Sequence, residues 1–95
     1  MQQTHIKLES AVWTSCRLDR ASFVPLYEQI KRLFLSGVAQ GKLSAGDAIP
    51  SEARLAMVFQ ISRATVRQAL YELRMEGYLV REKGRGTFVK ERSAA

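Results

Sequence analysis

Two arginines four residues apart, Arg63 and Arg67, carry the clearest chemistry in this chain. On a helix, residues i and i+4 stack one above the other, so both guanidinium groups would stand on one face. Each planar fork can donate two hydrogen bonds to acceptors held side by side, such as the O6 and N7 that guanine displays in a major groove. Ser62 and Thr65 flank Arg63, and their hydroxyls, with the free N–H groups of a helix start, suit phosphate. Farther on, Lys83-Gly84-Arg85-Gly86 sets two cations among two glycines. A tip with little bulk and positive charge fits a minor groove or a row of phosphates.

Catalytic chemistry has no comparable set. The chain has one histidine, His5, and one cysteine, Cys16, so neither an internal disulfide nor a metal site of the usual Cys/His spacing is available. There is no clustered nucleophile and base, and no glycine-rich phosphate loop opening a helix. The expectation is a protein that is not an enzyme and needs no cofactor.

Elements that would position these groups are readable. Pro25 suits a first helical position, and Leu26, Ile30, Leu33, Phe34 and Val38 then recur at three- and four-residue steps, up to a stop at Gly41. Ala48 and Ile49 suggest a short extended piece. Ser51 caps a second helix with Leu55, Val58 and Phe59 inward, ending near Gln60. Ser62 caps a third that runs to about Glu76, with Val66, Ala69, Leu70 and Leu73 as its apolar stripe. After Gly77, residues 78–82 and 87–90 are β-rich and flank a four-residue loop at 83–86, which reads as a hairpin. Three helices followed by a hairpin, with a tight turn between the second and third, make a mainly α winged helix-turn-helix with a two- or three-stranded wing.

Charge agrees with that arrangement. Residues 1–49 carry six Lys/Arg and four Asp/Glu, a net +2, whereas residues 50–95 carry nine and five, a net +4. The basic excess lies where the third helix and hairpin lie, and it favours an anionic partner. No apolar run approaches the roughly 20 residues of a membrane span, and no secretory signal opens the chain, so a cytoplasmic location is expected. With 95 residues there is room for one core, over residues 23–90. Residues 1–22 read as an arm from which Val12 and Trp13 can pack onto the body, and residues 91–95 as a tail or the start of a linker.

Taken in order, Pro25-Leu26-Tyr27-Glu28-Gln29-Ile30, Pro50-Ser51-Glu52 with Leu55-Ala56, residues 62–70 from Ser62-Arg63-Ala64 to Ala69-Leu70, Glu76-Gly77-Tyr78 and residues 84–89 from Gly84-Arg85-Gly86 to Val89 resemble the N-terminal DNA-binding domain of the GntR family of bacterial transcriptional regulators. The resemblance covers roughly residues 18–89. It implies a dimer on a short inverted-repeat operator in double-stranded DNA, with Arg63 and Arg67 on bases, Ser62 and Thr65 on phosphate, and Lys83, Gly84, Arg85 and Gly86 as the wing. One departure stands out: many members carry an arginine directly after Pro-Ser-Glu and use it on DNA, whereas here that position is Ala53 and the arginine follows at Arg54. One residue turns a side chain by about 100° around a helix, so the resemblance offers Arg54 only as a substitute for that arginine, beside Ser51 as a phosphate contact.

Family members continue into a C-terminal domain that binds a small-molecule effector and holds the dimer together. The resemblance therefore implies a metabolite-responsive repressor whose effector and main dimer contacts belong to a domain beyond these 95 residues, either because the chain is an excised module or because it is a short member. The chain alone is expected to be mainly monomeric. Leu18-Asp19-Arg20 is similar to the HutC-like branch. The competing reading is a winged helix that meets an acidic protein partner, for which exposed apolar residues would be expected where Arg63 and Arg67 stand.

Overall fold

The computed structural model describes Trp13 and residues 18–91. In chain order the elements are α1 (Leu26–Ala39), β1 (Ala48–Ile49), α2 (Glu52–Phe59), α3 (Arg63–Met75), β2 (Leu79–Glu82) and β3 (Gly86–Val89). The strands form one antiparallel sheet in the order β1-β3-β2. This is the winged helix-turn-helix, with the two-residue β1 supplying a third strand.

Each helix begins where local chemistry satisfies its free N–H groups. Ser51 Oγ accepts from the Arg54 N–H at 3.1 Å, and Ser62 Oγ accepts from the Thr65 N–H at 3.1 Å. Pro25 lies one position earlier than its residue type suggested. Its ψ of 149° is extended, while its carbonyl already accepts from the Glu28 and Gln29 N–H groups at 3.0 and 3.1 Å, so it is the cap and Leu26 is the first helical residue. Gln29 then ties the incoming chain down: its side chain accepts from the Asp19 N–H and donates to the Asp19 and Val24 carbonyls. Helix α2 ends on Gln60 in the left-handed region, φ 58° and ψ 49°, which leaves only Ile61 and Ser62 before α3.

The apolar stripes converge on one core. Ile30 and Phe34 of α1, Leu55, Ala56 and Phe59 of α2, and Val66, Ala69 and Leu73 of α3 are buried against Ile49, Leu79 and Val89 of the sheet. Leu43, in the loop after α1, is buried with them. Trp13 joins this core, its ring 6.5 Å from Phe34 and edge-on to Phe59 at 6.4 Å, so its expected packing onto the body is met. Val12, the rest of the segment before Leu18, and residues 92–95 lie outside the described residues. Arg20 donates to the Phe59 and Gln60 carbonyls at the end of α2, satisfying helix-terminal acceptors.

One core neighbour was not foreseen. Lys31, on α1, is 8% exposed, and its Nζ lies 2.6 Å from Glu76 Oε2 and 2.9 Å from Glu72 Oε1, both of α3 or its cap. Hydrogen bonds to Glu76 and Glu72 hold the ammonium well above its ordinary value of 10.5, and the bond to Lys31 lowers the Glu72 carboxyl below 4.5. A carboxyl depressed on folding stabilises fully above its unfolded value and loses that contribution as pH falls through its folded one. The unfolding midpoint of the wild-type chain should therefore drop more steeply below pH 4.5 than that of Lys31→Met, which removes the cation responsible. Parallel pH profiles in thermal melts would contradict the assignment.

Candidate nucleic-acid interface

Helix α3 and the β2–β3 hairpin wall a cleft of about 600 Å³ whose third side is the start of α2. Arg63, Arg67, Arg74, Arg81 and Arg85 line it, against a single carboxylate, Glu52. Four of the lining residues on α3, Arg63, Arg67, Tyr71 and Arg74, follow one another at steps of four, four and three, which is one helix face. The opposite face carries Val66, Ala69 and Leu73 into the core.

Arg63 is the first residue of α3, exposed, and without an ion-pair partner among the described residues. Arg67 is engaged: its Nε lies 3.2 and 3.3 Å from the two Glu52 oxygens and its second guanidinium nitrogen 3.1 Å from Oε1. Arg67 is well exposed and Glu52 half-buried, so water screens the pair, its worth is about 1 kcal/mol, and a better acceptor can displace it. Until then it keeps the guanidinium fork pointed across the cleft.

The phosphate candidates divide. Ser51 lines the cleft, whereas Arg54, Ser62 and Thr65 do not. Ala53, the position after Pro-Ser-Glu, does line it, so the one-residue step that moved the arginine to Arg54 also turned it out of the cleft. Ser62 Oγ and Thr65 Oγ1 lie 2.9 Å apart, at the exposed start of α3.

At the wing, the loop is three residues rather than four, because Gly86 pairs with Glu82 inside the ladder. The Arg85 N–H closes a turn on the Glu82 carbonyl at 2.9 Å, and Gly84, at the third turn position, has φ +78°. That is the type II pattern, in which this position requires positive φ. Arg85 itself pairs with Glu82 at 2.5 Å and lies 5.2 Å over the Phe88 ring. Arg85 and Gly86 line the cleft while Lys83 and Gly84 lie outside its lining. A Cβ on Gly84 would meet nothing within 4 Å, so Gly84→Val is strained by backbone alone, at about 1–3 kcal/mol. We expect that substitution to disorder the tip and weaken DNA binding more than Arg85→Ala does, as read by anisotropy of a labelled duplex. Unchanged affinity would remove Gly84 from the interface.

Arg74, Arg81 and Glu52 are cleft residues that sequence reasoning passed over. The three- and four-residue stepping from Arg63 would have found Arg74. For Arg81 the signal was its place in β2 opposite Thr87, legible only once the hairpin register was known.

Comparison with known proteins decides the family. The model of the bacterial regulatory proteins of the gntR family matches residues 26–89. The chain belongs to the GntR family. Among GntR relatives, the uncharacterized HTH-type transcriptional regulator YurK of Bacillus subtilis is 41% identical over 73 residues, covering 77% of this chain and 30% of that protein. The histidine utilization repressor of Klebsiella aerogenes is 44% identical over 72 residues, covering 76% and 30%, a relative of the kind the HutC-like resemblance implied. The AraR(DBD) in complex with operator ORE1 superposes with a TM-score of 0.67 at 38% identity, covering 76% of this chain and 88% of that one. This chain thus spans less than a third of the length of these two curated relatives.

Proposed function

We propose that this chain is the operator-binding module of a metabolite-responsive transcriptional repressor, seating α3 in a major groove and the hairpin at the adjacent minor groove of double-stranded DNA. The observation that carries the reading is the cleft between α3 and the hairpin, lined by five arginines and one carboxylate. Arg63 and Arg67 read bases, Ser51, Ser62 and Thr65 meet phosphate beside them, Arg54 reaches the flanking backbone, and Lys83, Gly84, Arg85 and Gly86 form the wing contact. The repressor names of relatives and the AraR(DBD)–operator complex support it.

The operator is a short inverted repeat, since one recognition helix and one wing read one half-site and a two-fold site calls for two copies. Effector binding and most dimer contacts belong to a further domain, and residues 1–95 alone are mainly monomeric at micromolar concentration; a tight dimer in sedimentation would refute this. We place the protein in the cytoplasm, with no catalytic role. Among the described residues, no helix is long and apolar enough to cross a membrane.

The test is a salt titration with a duplex selected by the chain from a random pool. Neutralising phosphates releases counterions, so log affinity should fall linearly with log salt, with a slope between about −3 and −6. No selectable duplex, or binding indifferent to salt, would overturn the proposal and favour a protein partner.

A further inference from the structure

We infer that Arg74 and Arg81 clamp the sugar–phosphate strand that separates the two grooves, an inference that rests on the DNA-binding reading above. With α3 in one groove and the hairpin tip at its neighbour, a single backbone strand must pass between them. The cleft is the space between them, and Arg74 and Arg81 line opposite walls of it, α3 and β2.

Their positions exclude base reading by the route open to Arg63 and Arg67. At 1.5 Å of rise per residue, Arg74 lies about 10 Å along the axis from Arg67 and about 16 Å from Arg63, in the last turn of α3. The base-reading end of the helix is out of its reach. Arg81 stands on the hairpin wall, opposite Thr87 in the ladder and four residues before the wing tip arginine.

Both are ready to bind an anion. Arg67 is tied to Glu52 and Arg85 to Glu82, whereas neither Arg74 nor Arg81 has a carboxylate partner among the described residues. Arg74 is instead held over the Tyr71 ring, its Cζ 5.7 Å from the centroid. A guanidinium carried on a ring face keeps the N–H groups at its edge free to donate to phosphate oxygens. Tyr71 is half exposed, which a mere core ring would not be, and lines the same cleft. Two such contacts add affinity and fix register without sensing sequence.

The experiment compares wild type with Arg74→Gln/Arg81→Gln on the selected duplex and on random duplex, over 50 to 200 mM salt. Losing two phosphate contacts should make the salt slope shallower by about 1.8, so that the variant loses about 12-fold less of its affinity across that range, equally on both duplexes. Arg74→Lys/Arg81→Lys should keep the wild-type slope, and Lys42→Gln, in the loop after α1 and away from the cleft, should leave it unchanged. Arg81→Gln alone, at an exposed site, should change it by about 0.9. A wild-type slope in both glutamine variants overturns the clamp while leaving the DNA-binding reading intact, as does a loss confined to the selected duplex. If the wild-type chain binds no duplex, it is the underlying reading that falls.

Discussion

Replacing Arg63 and Arg67 together by alanine is expected to lower affinity for the selected operator by about 30- to 2 × 10⁴-fold, from about 1–3 kcal/mol for each bidentate base contact. Random DNA should lose far less, because only the electrostatic share of those contacts is common to every sequence. The two arginines are not equivalent before binding. Arg63 is unpaired among the described residues, and Arg67 exchanges Glu52 for the base, a pair whose solvated position limits the cost of exchange to about 1 kcal/mol. The singles should therefore rank with Arg63→Ala at least as damaging as Arg67→Ala, and their sum need not equal the double, since both stand on one face within a turn of each other. Neither side chain supports the core, so stability should fall by no more than the Arg67–Glu52 pair contributes, at most about 1 kcal/mol. Equal losses on operator and random duplexes would leave only a phosphate role for the pair.

Phe34→Ala should have the largest effect on stability, about 3–5 kcal/mol. Phe34 is fully buried in α1, and its ring meets Trp13 on one side and, edge-on at 6.4 Å, Tyr78 on the other. No single helix can close over the space it would vacate, because its ring partners, Trp13 and Tyr78, come from two segments far apart in the chain. Set against the 5–15 kcal/mol that separates folded from unfolded states in ordinary domains, this loss removes a large part of the margin. Urea unfolding followed by circular dichroism measures it. A change below about 1 kcal/mol would mean that the core collapses around the site far more readily than its packing implies.

The helices were legible because each has two independent local signatures, a cap and an apolar period. Ser62 with Val66, Ala69 and Leu73 places α3 within a residue, and Ser51 with Leu55 and Phe59 does the same for α2. Pro25 reads as the first helical residue but is the cap, since a proline's fixed φ suits both positions and only ψ separates them. The hairpin was readable but not its register: Gly86 looks like loop until Glu82 is seen opposite it. Among the residues that line the cleft, Arg63, Arg67 and Arg85 are legible from residue type and spacing. The Glu52–Arg67 pair and the Lys31 cluster were not, since each joins helices 15 to 45 residues apart and depends on how those helices dock. No local period carries that information.

The segment before α1 sets where this unit can be cut. The family match opens at residue 26, yet Trp13 fills the core between Phe34 and Phe59, Arg20 closes the end of α2, and Gln29 grips the chain at Asp19 and Val24. A chain trimmed to the family boundary would keep every residue that lines the cleft and lose its lid and its brace. Arg20 acts on the short turn that sets α3 against α2, so trimming there would loosen the angle at which α3 is held as well as the fold. Any fusion or minimal reporter built from this protein therefore needs its start before Trp13, and a tag joined at residue 26 would be attached to the wrong end of the foundation.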